Sequence, residues 1–328
     1  MYICTQYFYL YTMIYLLQFI LILATQLTYF RIANHLNIID KPNQRSSHTK
    51  VTLRGGGIVF YFSVLFYFLI QGFQYPWFLL GLTLIAGISF ADDIKPQSSK
   101  LRLLIHFVAM AFMFYQLGLF ELPWYFTLIA LIVSTGILNA YNFMDGINGL
   151  TGGYSLVIVA ALWYINTYQV SFIDNNLLYS LIMALLVFNF FNFRTKANCF
   201  AGDVGAISIA FILVFILGTL ILKTNNFSYI VLLALYGVDT VCTIVHRIAL
   251  KENIFEAHRK HLYQIMANEL KIPHVVVSGI YCFLQALIAV GLVITKNPYS
   301  YLSIVVFVLG VTYILFMLRF YKLHQSDK

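Results

Sequence analysis

The sequence predicts an all-α, polytopic integral membrane protein of about 11 transmembrane helices, and three observations predict it. Of 328 residues, 61% are apolar or aromatic and only 10% are charged, against roughly 45–50% and about 25% in ordinary globular chains. The apolar residues come in long runs, enough at roughly 20 residues per crossing for about ten or eleven spans. The basic residues collect in alternate loops, as membrane topology demands. An ordinary water-soluble domain is excluded.

Eleven apolar runs follow one another at about 8–30, 57–72, 76–91, 101–120, 123–138, 149–166, 176–193, 204–222, 228–248, 274–294 and 299–318. Several are shorter than 20 residues, which is tolerable for helices packed inside a bundle or ending in a protein-lined cavity. The start, MYICTQYFYLYTMIY, lacks the cationic region of a signal peptide and reads as part of the first span. With no repeat and no low-complexity linker, residues 1–328 read as one transmembrane domain. Cys4, Cys199, Cys242 and Cys282 lie far apart, without metal-ligand spacing or a disulfide framework.

Net charge is +8, from 20 Lys plus Arg against 12 Asp plus Glu. A nucleic-acid surface is one reading of such an excess, but the positions of the bases favour topology. Eighteen of the 20 fall on one side when loops are numbered alternately, leaving Lys223 and Lys296 on the other. The rich side is expected in the cytoplasm, with the N-terminus outside, the C-terminus inside, and cytoplasmic loops near 31–56, 92–100, 139–149, 194–203 and 249–273. Carboxylates sort the same way, although they contribute little to topology. Asp40, Asp92, Asp93, Asp145, Asp203, Glu252, Glu256 and Glu269 share that side, so the chemistry is expected there.

Four stretches on that face carry chemistry. The third run ends in Ala91-Asp92-Asp93-Ile94-Lys95. Adjacent carboxylates at a negative helix C-terminus are unfavourable without a cation or a proton; the alternative is a solvated helix end. They suit a general base or a magnesium-organising pair, and Lys95 can hold a phosphate. After the fifth run, Asn139, Asn142, Asp145 and Asn148 recur every three residues, so a helical stretch puts them on one side. Their oxygens suit magnesium or a nucleotide, while a loop of turn formers is the plain alternative. Asp203 precedes an apolar helix, where it is either a good N-cap or the holder of a metal bridging a diphosphate at the helix N-terminus. His258-Arg259-Lys260-His261 places two histidines on one helix face with a forked phosphate donor between them; the rivals are a basic surface helix and a zinc pair lacking further ligands. The deep Asp239 and the buried His106 read as supporting groups, His106 facing the same cavity, the alternative for either being a packed interhelical hydrogen-bonding group.

Taken together these blocks resemble the polyprenyl-phosphate N-acetylhexosamine-1-phosphate transferases, the glycosyltransferase family 4 enzymes that include the O-antigen and enterobacterial common antigen initiators and the muramoyl-pentapeptide translocase. The resemblance runs from Asp40 to about Ala267. It rests on Asp40-Lys-Pro-Asn-x-Arg-Ser-Ser-His48 with Gly55-Gly56-Gly57, Asp92-Asp93-x-Lys95, Asn139-x-x-Asn142-Phe-Met-Asp145-Gly-x-Asn148-Gly149, Phe200-Ala-Gly-Asp203-x-Gly205, and His258-Arg-x-His261-Leu-Tyr-Gln264. It implies transfer of N-acetylhexosamine-1-phosphate, with GlcNAc the expected sugar, from a UDP-sugar to undecaprenyl phosphate, releasing UMP. The implied setting is a multi-pass protein of the bacterial inner membrane, acting first in cell-surface polysaccharide synthesis with its site facing the cytoplasm.

Carried over by resemblance, Asp92, Asp93 and Asp145 are the catalytic candidates, and Asn142 with Asp203 the ligands of Mg2+, for which Mn2+ is a substitute. Lys95, Asn148, Asn192, His258, Arg259 and His261 are the substrate-binding candidates, Asn192 at the uridine end. The implied partners are the UDP-N-acetylhexosamine, the lipid acceptor and the bilayer, with no nucleic acid and room for a homodimer. Many relatives carry Asp where this chain has Asn148, so that residue is not an essential base here. The competing class is a secondary transporter or flippase for a lipid-linked or anionic sugar, which places coupling charges at the midplane; here only Asp239 lies deep.

Overall fold

The structure is a computed structural model describing residues 2–40, 51–253 and 259–320, with side chains from Thr12 onward. Its helices are α1 (Tyr2–His35), α2 (Ile58–Ile70), α3 (Pro76–Ile94), α4 (Ser99–Gln116), α5 (Trp124–Met144), α6 (Leu150–Tyr168), α7 (Asn175–Asn192), α8 (Gly202–Thr224), α9 (Ala234–Ala249), the single turn α10 (Leu262–Gln264), α11 (His274–Ile294) and α12 (Pro298–Phe320). Each of the eleven apolar runs became a helix. Nine helical segments among the described residues are long and apolar enough to cross a membrane. The two that fall short are α2, with 13 residues, and α4, whose first turn carries Lys100 and Arg102.

The order from rim to centre follows from composition. α8 is apolar all round, and a helix without a polar face belongs in the interior of a bundle; it is almost wholly buried, packed by α2, α3, α5 and the 3-10 segment Phe227–Leu233. Phe78 stacks on Phe215 at 4.0 Å between ring centroids, joining α3 to this central helix. α12 is the reverse, its apolar side chains mostly exposed as lipid-facing ones are. The described cysteines Cys199, Cys242 and Cys282 are free thiols.

Several boundaries differ from expectation. α3 continues through Asp93 and α5 through Asn139 and Asn142, so these polar groups sit on helices rather than in loops. Asp93 is buried, Asn142 half-buried and Asn139 exposed, and the intrahelical backbone bonds of α5 continue until the turn at Asp145 and Gly146. The first polar loop forms an unforeseen strand pair, β1 (Ile39–Asp40) against antiparallel β2 (Thr52–Leu53). The basic segment is also not the expected helix: residues 259–260 are irregular, and His261 is the N-cap of α10.

Candidate active site

The site is assembled around the start of α8. The chain leaving β2 runs beside the segment that enters α8. Phe200 N donates to Leu53 O at 2.8 Å, Gly56 N to Phe200 O at 2.8 Å and Gly57 N to Ala201 O at 3.0 Å. This contact works because Gly57 and Gly205 face each other where a Cβ on either meets backbone. It sets Arg54 over the first turn of α8. Gly202 adopts φ +71, a conformation natural only to glycine, and a Cβ there would lie 2.6 Å from Asp93 Oδ2.

Asp93 is the clamp of this corner. Its buried carboxylate accepts from Asp203 N at 2.9 Å and Val204 N at 3.0 Å, and Arg54 Nε lies 2.6 Å from Oδ1. Two sequence expectations change accordingly. Asp203 is not the N-cap of α8, since Ala201 holds that position; and the helix N-terminal amides expected to receive a diphosphate are already taken by Asp93. Burying a carboxylate requires such partners. Both Asp93 oxygens accept N–H bonds and its side chain is fully buried, so it holds this corner together. Asp92 is bound by Gln97 N at 2.7 Å and Arg102 Nη1 at 2.7 Å, and its carboxyl also interacts with that of Asp203.

Beside this corner lies a polar cavity of about 230 Å³. Asn142, Asp145, Asn148, Asn192 and Asp203, all candidates from the sequence, line it together with Asp40, Arg54, Gln264 and His274. Asp145 ends α5 and accepts from Thr151 Oγ1 at 2.7 Å; burial pushes its carboxyl up to about 7. Asn192 is spent on structure, accepting from Gly149 N and donating to Cys199 O, each at 2.8 Å. Asn148 donates to Arg194 O at 2.8 Å, while its Oδ1 is buried without a partner. Arg54 keeps its charge: burial opposes it, but Asp93, Asp203 and Asp40 together raise its pKa above the ordinary value.

Other candidates lie elsewhere. Lys95 is exposed at the end of α3, and neither Asp92, Asp93, Lys95, Arg259 nor His261 lines the cavity. His258 lies outside the described residues. His106 does not face the cavity either, because α4 packs on α3 and away from the start of α8. His261 is buried, with Nδ1 3.3 Å from Asp239 Oδ1. Asp239 also accepts from Tyr281 Oη at 2.7 Å and Leu262 N at 3.1 Å, and Tyr263 Oη donates to Phe143 O at 2.8 Å. These bonds tie the turn at α10 to α9, α11 and the end of α5, and so bring Gln264 to the cavity wall. Asp40 and Gln264 stood in the quoted blocks without a role, and Arg54 entered only as one base of the first cytoplasmic loop. His274 had no signal, since its segment carries no motif.

The donor set fits a hard cation. Two carboxylates, Asp145 and Asp203, and the Asn142 carboxamide face one cavity. Among the described residues no three His, Cys, Asp or Glu side chains form a self-sufficient metal cluster. Magnesium is ordinarily held by one or two carboxylates with phosphates and waters completing its shell, so this set suits an ion that arrives with a phosphate. A second, apolar groove of about 540 Å³ runs between α5 and α9, lined by residues including Val133, Asn139, Phe143, Val241 and Arg247. The last turns of α5 thus line both spaces, Asn142 and Asp145 the polar one, Asn139 and Phe143 the apolar one.

The profile of glycosyl transferase family 4 matches residues 75–221, which hold α3 to most of α8 and all five cavity-lining candidates with Asp92 and Asp93. Over that stretch the chain is similar to this family. It is 26% identical over 302 residues to a probable undecaprenyl-phosphate N-acetylglucosaminyl 1-phosphate transferase of Bacillus subtilis (strain 168), covering 85% of this chain and 83% of that one. It is 27% identical over 262 residues to the undecaprenyl-phosphate alpha-N-acetylglucosaminyl 1-phosphate transferase of Escherichia coli (strain K12), covering 72% and 71%. The corresponding Yersinia pestis protein is 25% identical over 260 residues, with 72% and 71% covered.

Proposed function

We propose that this membrane transferase moves N-acetylglucosamine-1-phosphate from UDP-N-acetylglucosamine to undecaprenyl phosphate and releases UMP, as the first membrane step of a cell-surface polysaccharide. The proposed setting is the bacterial inner membrane, with the polar cavity open to the cytoplasm. The observation that carries this reading is the shared wall at the end of α5: a carboxylate- and carboxamide-lined cavity beside an apolar groove between two apolar helices. A hydrophilic donor and an acceptor whose tail stays in the bilayer need that adjacency. The names of the similar proteins support the same donor sugar and acceptor.

Phosphoryl transfer needs positioning and charge neutralisation above all. Asp145, Asp203 and Asn142 would hold Mg2+, which supplies charge neutralisation across the donor's diphosphate. Asn148 Oδ1 accepts from an N–H or O–H of the donor, and Asn192 keeps the Gly149 turn in place around it. The groove between α5 and α9 holds the lipid tail and delivers its phosphate to the Asn142 end. There an acceptor phosphate oxygen attacks the sugar-bearing phosphorus, and the bond to the UMP oxygen breaks. Asp93 acts by holding α8 and Arg54 in register. Asp239 anchors His261 and the Leu262 amide beside the site, and with them the turn that carries Gln264 to the cavity wall.

The test is an exchange assay with labelled UDP-sugars and undecaprenyl phosphate in membranes carrying this protein. UMP release should require a divalent cation and fall on the order of 100-fold or more in Asp203→Ala. Activity that survives excess chelator, or that Asp203→Ala leaves intact, defeats the reading. The transporter alternative draws no support from the deep carboxylate, since Asp239 is fully occupied in packing.

A further inference from the structure

Arg54 stands at the wall of the polar cavity, and nothing in the reaction as derived so far uses its charge. Its guanidinium bridges two carboxylates: Nε lies 2.6 Å from Asp93 Oδ1 and Nη2 lies 3.0 Å from Asp203 Oδ1. The Asp93 side chain is fully buried and that of Asp203 is 18% exposed, whereas Arg54 is 34% exposed and lines the cavity. A third carboxylate, Asp92, adjoins Asp203 and has its own partner in Arg102, at 2.7 Å. Arg54 is therefore the cation that Asp93 and Asp203 share. Carboxylates this close and this buried do not stay ionised without one.

The same Asp203 carboxylate is the one placed to bind a divalent cation. A guanidinium and a metal ion compete for the same lone pairs, and their charges repel. The backbone of Arg54 is held firmly, its N–H donating to Ile38 O at 3.1 Å and its carbonyl accepting from Tyr29 Oη at 2.6 Å. Its side chain, by contrast, faces open space. The bond from Nε to Asp93 can persist while Nη2 changes partner, so the exchange asks only for side-chain motion.

We propose that Arg54 is a resident counter-ion of the metal site: it holds Asp203 in the metal-free protein, yields that carboxylate to the incoming cation, and turns its freed fork onto the donor's diphosphate. This rests on the transferase reading above and adds a role for a residue outside it. The planar fork of arginine matches phosphate oxygens better than a point charge does. Because the metal releases Arg54 and the diphosphate receives it, each ligand strengthens the binding of the other, reciprocally. Empty enzyme then has low affinity for the cation alone, which keeps the site from trapping an ion without its substrate.

The experiment is a Mn2+ titration of the purified full-length protein in detergent, read by the electron paramagnetic resonance of free Mn2+, with and without UDP-N-acetylglucosamine. In Arg54→Met, Mn2+ without nucleotide should bind on the order of tenfold tighter than in wild type, the scale of one partly screened charge pair removed. The gain in Mn2+ affinity that the nucleotide sugar gives wild type should shrink by roughly tenfold or more. Because Arg54→Met leaves Asp93 without its cation, Arg54→Lys is measured beside it and decides if the first variant does not fold. Lysine competes as a point charge without a fork, so Mn2+ alone should bind roughly threefold tighter than in wild type. Unchanged or weaker Mn2+ affinity in the folded variant overturns the counter-ion role. Wild-type protein that takes up no Mn2+ under either condition sinks the metal-dependent transferase reading instead.

Discussion

Asp145 couples folding to pH and, through the proposed metal site, to cation binding. Its carboxyl ionises near 7 in the folded protein, against an ordinary value of 3.8, because it is buried. Folding thus favours the neutral form, and the stability this group contributes is complete below about pH 4 and lost as pH rises through about 7. A bound divalent cation needs the ionised form. Magnesium should therefore raise the melting temperature more at about pH 8 than at about pH 6, as followed by thermal unfolding in detergent; the opposite order removes Asp145 from the ligand set. Asn148 makes a second case. Its Nδ2 donates to the Arg194 carbonyl, with the Thr195 carbonyl at 3.5 Å, and a carboxylate cannot donate. Asn148→Asp should cost about 1–3 kcal/mol of stability, measured by denaturant unfolding. The chain around Arg194 is built for an amide.

At the scale of elements, the polar groups inside the bundle act as joints. Asp239 on α9 receives Tyr281 of α11 and the Leu262 amide of α10, with His261 alongside, while Thr243 links α9 to Tyr313 of α12. An aspartate with this many donors holds three helices and one loop in register. Asn in its place keeps the shape but presents only one acceptor oxygen, leaving at least one buried donor unmet. Asp239→Asn should lower stability by about 1–3 kcal/mol and speed tryptic cleavage at Arg259 and Lys260. A melting shift with no change in cleavage would locate the damage in the helices alone. The glycine contact of Gly57 with Gly205 is the apolar counterpart, a close approach that lets the first loop reach the start of α8.

At the scale of the whole molecule, one helix end separates the polar cavity from the apolar groove. Gly237 lines the apolar groove, and a Cβ there meets nothing within 4 Å. Gly237→Leu should fill the groove without a clash, and replacing a helical glycine adds stability of about 0.5–1 kcal/mol. The expected outcome is a KM for undecaprenyl phosphate raised roughly tenfold, about 1.4 kcal/mol of lost binding, with the KM for the nucleotide sugar unchanged. Equal effects on both substrates in steady-state kinetics would argue that the groove does not take the lipid.

Much of this was legible in one dimension. Apolar runs mark spans because a bilayer leaves every backbone amide to be satisfied within its own helix, so all eleven runs reappear as helices at nearly their expected positions. The carboxylates Asp145 and Asp203 and the carboxamides Asn142, Asn148 and Asn192 were also recognisable, since polar groups between apolar runs need a reason to be there. What the linear order left open was which groups would meet and which would be consumed. Asp92 and Asp93 are adjacent, yet one pairs with Arg102 and the other clamps the amides of α8. Arg54 read as one base among many in a loop, and only its approach across Gly57 and Gly205 made it the partner of Asp203. Composition and periodicity determine which segments leave water, a local free energy of each helix. The pairing of charges depends on distances between segments far apart in sequence, and those exist only once the helices have packed.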